Sequence, residues 1–182
     1  MRRIVDDFQN KTDAIGIVTF VINVVKSRKN VRFIQADITG LEAKILKEKK
    51  TVHLPPSLFL DQDYDLVISA NLLSQLSYHI RGFLEKKARP KLSPEVLDHY
   101  AHEISFNHFQ YLQQFSCPAI LITDIETNFF NKEDQLIHTE KPYIDFKFPP
   151  SKEEWIWNVA PIPEYAKDIA LKMKVAAFVF NS

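Results

Sequence analysis

Three glycines in 182 residues, Gly16, Gly40 and Gly82, set the first limit on what this chain can fold into. Average usage near 7% would give about thirteen. Loops that cradle a phosphate or a dinucleotide need two or three glycines within about six residues. No two of these glycines lie that close, so a glycine-built nucleotide loop is excluded. Any function has to be explained around that absence.

A chain of this length fits a single domain spanning 1–182 and can bury roughly 70% of the surface its unfolded form exposes. Twenty-three Lys and Arg residues balance 23 Asp and Glu, so no net field draws nucleic acid or anionic lipid to the surface. A dedicated nucleic-acid partner is not expected. The lone Cys117 cannot close an internal disulfide; its apolar setting predicts a buried thiol, and the compartment expected is reducing and cytoplasmic. The apolar stretch Ala14 to Val25 has the length of a signal-peptide core. However, Asp6, Asp7 and Asp13 precede it, and Lys26 to Lys29 stand where a cleavage site would be. It is also short of the ~20 residues that cross a bilayer as a helix, so no membrane association is expected.

Along the chain, Ile15 to Val25 could be a strand or a helix by length, and its Val and Ile content favours a strand through about Ile22. Val31 to Ile34 reads as a second strand, with Asp37 at its carboxyl end. Leu41 to Lys50 has the pattern of a charged helix, and Thr51 to Tyr64, with Pro55 and Pro56, that of a loop. Asp65 to Ser69 is a short apolar run of the kind buried on both faces of a parallel sheet, followed by a helix from about Leu72 to Lys87. Ser93-Pro94-Glu95 is a helix start, with serine at the N-cap and proline in the first turn. On that helix Leu97, Tyr100, Ala101, Ile104, His108, Tyr111, Leu112 and Phe115 share one broad face. Pro118 to Ile125, Trp155 to Val159 and Val175 to Phe180 complete the predicted strands. Continuous apolar runs separated by helical stretches predict an α/β fold with a mostly parallel sheet and flanking helices.

Four segments resemble the class I S-adenosylmethionine-dependent methyltransferases. They are Asn-Val-Arg-Phe-Ile-Gln-Ala-Asp-Ile (30–38), Tyr-Asp-Leu-Val-Ile-Ser-Ala-Asn-Leu-Leu-Ser-Gln-Leu (64–76), Ala-Ile-Leu-Ile-Thr-Asp-Ile (119–125), and Glu-Trp-Ile-Trp-Asn-Val-Ala-Pro (154–161) before the closing Val-Ala-Ala-Phe-Val-Phe. The resemblance implies a Rossmann-like fold ending in an antiparallel hairpin. It also implies S-adenosylmethionine as cofactor, with Asp37 accepting from the adenine amino group and Ile38 beside the ring. Ser69, Ala70 and Asn71 would stand where the methionine end meets the substrate. The family's glycine-rich loop and its ribose-binding acid have no counterpart here, so the resemblance further implies a fold lacking its amino-terminal part.

Other clusters invite sharper chemistry. His99, His102 and Glu103 share a helix face but lack a fourth ligand, so the expectation is a solvated polar face and no metal site. Phe106 and Phe109 lie on or beside that face and could hold a protein partner. Ser69, Asp124 and a histidine could form a nucleophilic group, but no nucleophile elbow surrounds Ser69. His108 fits a hydrogen-bonded core histidine better than a catalytic base, and Trp155 and Trp157, two apart, point to one strand face as packing anchors. The sequence thus predicts a methyltransferase-like protein that binds its cofactor weakly or not at all. The alternatives are an active methyltransferase completed by another chain and a non-catalytic binding scaffold. Self-association is expected from the sheet edge that a missing strand would leave open.

Overall fold

The computed structural model describes residues 14–16, 31–33, 59–88, 90–142 and 146–181. The chain divides into two units, Met1–Ile38 and Thr39–Ser182. In the first, β1 (Ala14–Gly16) pairs in parallel with β2 (Val31–Phe33), Ala14 opposite Val31. The remainder of the first apolar run lies outside the described residues. So do the charged helix predicted for 41–50 and the two adenine-side residues, Asp37 and Ile38.

The second unit holds β3 (Val67–Ala70), α1 (Leu73–Lys87), α2 (Pro94–Leu112), β4 (Ala119–Phe130), β5 (Leu136–Glu140), β6 (Glu153–Ala160) and β7 (Ala170–Phe180). The strand order is β3-β4-β7-β6, with β5 on β4 beside β3. β3 runs parallel to the first part of β4, and Ser69 faces Leu121. Every other pairing in this sheet is antiparallel.

The sheet therefore corrects the mostly parallel, Rossmann-like expectation. A parallel pair needs a crossover of a dozen or more residues, whereas antiparallel strands can be joined by a tight turn. Among the described residues only α1 and α2 form such a crossover, between β3 and β4. The stretch from Ala160 to β7 contains no helix, so β7 returns antiparallel to β6, and it lies antiparallel along almost the whole of β4 as well. The long apolar runs in β4 and β7 do form strands, but these mix buried and half-buried residues, and the runs carried no information about direction. β4 also continues five residues past Ile125 and folds back into β5, a hairpin the sequence analysis did not anticipate. Its turn contains no glycine: Asn131 Oδ1 accepts from the backbone N–H groups of Glu133 (3.1 Å) and Gln135 (2.8 Å), while Asp134 takes the positive φ of 57°.

One face of the sheet is packed under the helices. Leu73 at the start of α1, Phe109, Tyr111 and Leu112 of α2, and Phe115 and Cys117 beyond it meet Ala119 and Leu121 of β4 and Ala176, Phe178 and Phe180 of β7. Farther along, Ile80 and Leu84 of α1 pack against Leu97 and Ile104 of α2. The α2 stripe faces inward as its spacing predicts, but Phe109 also turns out to be buried. Phe146 (4.7 Å between ring centroids) and Phe148 (5.8 Å) cover it, and Phe146 also meets Phe106 (5.6 Å). Phe109, half of the expected partner surface, is thus covered from within the chain, while Phe106 stays half-buried. β3 is not buried on both faces either, since Ile68 is 48% exposed. Trp155 and Trp157 do share a strand face but remain 37% and 42% exposed, so they are not core anchors. No helix among the described residues is long and apolar enough to cross a membrane.

Leu121 is fully buried where both helices and β7 converge on β4. Leu121→Ala is expected to cost about 2 to 5 kcal/mol of unfolding free energy in urea denaturation, through lost burial and the cavity left behind. Ile137→Ala on exposed β5 should stay within about 0.5 kcal/mol.

Candidate functional site at the carboxyl end of β3

Ligands of open α/β sheets bind outside the carboxyl ends of parallel strands, which directs attention to the end of the β3–β4 pair. There Ser69 and Ala70 face Leu121 and Ile122, and the N–H of Asn71 donates to the Ile122 carbonyl (2.8 Å). Asn71 takes φ of 54°, a left-handed conformation that asparagine tolerates better than most residues. That reversal lets Leu72 lead directly into α1.

Two hydrogen bonds fix this corner from beneath. Ser69 Oγ lies 2.8 Å from His108 Nε2, tying β3 to α2. Ser74, in the first turn of α1, donates to Asp124 Oδ1 of β4. Ser77 then donates to the Ser74 carbonyl (2.7 Å), and Ser105 of α2 to that of Leu73 (3.4 Å). Ser69, Ser74, His108 and Asp124 are all buried, where each polar group has to find a partner inside the protein. These bonds supply the partners and set the register of both helices against the sheet.

The arrangement separates the three residue types of a hydrolase triad. Ser69 does meet a histidine, but Asp124 is engaged with Ser74. Burial holds the His108 imidazole down at a pKa of about 4, so it is neutral at pH 7. Burial, and then the neighbouring Tyr64, push the Tyr111 hydroxyl up to about 12. Ser69 and His108 therefore form a structural hydrogen bond between a strand and a helix.

Of the expected cofactor residues, Ser69, Ala70 and Asn71 stand together at this strand end. Ala70 is exposed and Asn71 half-buried, while Ser69 points inward under the helices. Sequence reasoning missed Ser74, whose only signal was a small polar residue three positions before Ser77 at a helix start. Among the described residues no three His, Cys, Asp or Glu side chains are grouped to hold a metal ion, and His102 stacks on Phe106 instead (6.1 Å, 8° between planes). No protein-family model matches the chain, and neither does any curated protein or solved structure.

Two outcomes test this corner. Unfolded histidine takes up its proton near pH 6.5, but folded His108 does so only near pH 4. Its contribution is therefore complete above pH 6.5 and is lost as pH falls towards 4, up to about 3 kcal/mol in all. Denaturation of His108→Gln between pH 7 and 4.5 should show a flatter pH dependence than the wild type. Ser74→Ala strands the buried Asp124 carboxyl without its donor, and about 1.5 to 3 kcal/mol of stability should disappear in the same measurement at pH 7.

Proposed function

We propose that this chain is a methyltransferase-like protein that binds S-adenosylmethionine weakly or not at all on its own. The observation that carries this reading is the state of the β3 end. Ala70 and Asn71 stand at the carboxyl end of the one parallel strand pair in this sheet, before a helix, which is the local arrangement at which open α/β sheets present ligands. Two polar groups here are already engaged within the chain, the Ser69 hydroxyl with His108 and the Asn71 backbone N–H with the Ile122 carbonyl. Among the described residues of this strand end, an exposed alanine and a half-buried asparagine are left for a cofactor, which supports weak binding. The resemblance in residues 30–38 adds Asp37 and Ile38 as adenine contacts. The methyl acceptor would be chosen by whatever completes the site, which makes association with another chain or with itself part of this proposal.

Calorimetry of the isolated chain with S-adenosylmethionine tests the proposal. No saturable heat, or only millimolar binding, is expected. Micromolar affinity would contradict it and favour an enzyme complete in itself. Where weak binding is measurable, Asp37→Ala should reduce it by about 1 to 3 kcal/mol, the value of a charge-assisted hydrogen bond.

A further inference from the structure

We propose that two copies of this chain associate edge to edge through β6, antiparallel and centred on Ile156. This rests on the self-association included in the functional proposal and names its surface. β6 ends the sheet, with β7 on one side and no strand on the other among the described residues. Its eight residues, Glu-Glu-Trp-Ile-Trp-Asn-Val-Ala, contain no lysine or proline; the features that guard an edge lie at its two ends, Glu153 and Glu154 at one and a bulge between Asn158 and Ala160 at the other, which leaves Trp155 to Trp157 open to pairing. Ile156 is 58% exposed, and both tryptophans stand partly in solvent. β5, the other exposed strand, is only five residues long.

The choice of a second copy follows from the strand's own pattern. A two-fold axis through the edge sets residues opposite each other only where they point to the same face, so the axis has to pass through a residue. With Ile156 on the axis, it faces its own copy, and Trp155 faces Trp157 twice. Cross-strand aromatic pairs are among the favourable neighbours of an antiparallel ladder. Glu154 falls opposite Asn158, and its charge is already satisfied within its own chain by Lys174 (2.8 Å) and Ser151 (2.8 Å). No like charges oppose each other in this register. An eight-residue edge with two half-exposed tryptophans would bury roughly 1,000 Å² in total, at the small end of specific interfaces, so a reversible, concentration-dependent dimer is expected.

Sedimentation velocity of the full chain, from low micromolar to several hundred micromolar, reads the association. Oxidative cross-linking of single-cysteine additions then reads the register. Two copies of residue 156 on the axis bring their Cα atoms within disulfide range, whereas two copies of residue 158 lie roughly 13 Å apart. Expected are a concentration-dependent dimer, efficient cross-linking of Ile156→Cys and none of Asn158→Cys, with both variants retaining wild-type circular dichroism. Ile156→Lys, which opposes two cations on the axis, should weaken the dimer at least tenfold. A wild-type chain that stays monomeric overturns both self-association and this surface. A dimer in which Ile156→Cys fails to cross-link, or Asn158→Cys does so equally well, overturns the β6 register alone.

Discussion

A parallel strand pair requires a crossover that carries the chain back over the sheet, and in the second unit residues 73–112 supply it. This constraint shapes the rest of that unit. Because the crossover is made of two helices, one face of β4 and β7 is covered and the apolar core collects there, around Leu73, Leu112, Leu121 and Phe178. Among the described residues no second helical crossover follows β4, and the later strands pair antiparallel. The result is a sheet whose first part is roofed by helices and whose β5 and β6 strands stand in solvent.

The crossover also determines what lies at the end of β3. The turn at Asn71 has to deliver α1 onto the sheet, and Ser74 on Asp124 and Ser69 on His108 hold it there. Those bonds keep the two hydroxyls and the carboxyl buried beneath the helices. A corner that is well satisfied internally is stable but has little left for recognition, and this links the fold to the proposal of weak cofactor binding.

Local elements were legible in the sequence because their signals are local. Ser93-Pro94-Glu95 marks the start of α2, and the spacing of Leu97, Ala101, Ile104 and His108 marks its inner face. The runs in β4 and β7 announce strands. Strand direction was not legible, since a continuous apolar run looks the same whether its neighbour is parallel or antiparallel. The β4–β5 turn escaped because Asn131 builds it with a side-chain oxygen where a glycine would have been conspicuous. Phe109 was misplaced because a helical wheel counts one helix, and the rings that bury it arrive from Phe146 and Phe148. At the candidate site, Ser69, Ala70 and Asn71 could be placed at a strand end. The partnerships of Ser69 with His108 and of Ser74 with Asp124 span 39 and 50 residues, beyond the reach of any local pattern.

The proposed weak binding rests on a β3 end held by its own hydrogen bonds, where, among the described residues, Ala70 is exposed and Asn71 half-buried. Backbone amide chemical shifts recorded while S-adenosylmethionine is titrated into the chain test it most directly. Expected are small, unsaturated shifts at Ala70 and Asn71 in the millimolar range, with Ser69, Ser74 and His108 unmoved. Saturation at micromolar cofactor, accompanied by shifts at Ser69 and His108 as their bond opens, would contradict it.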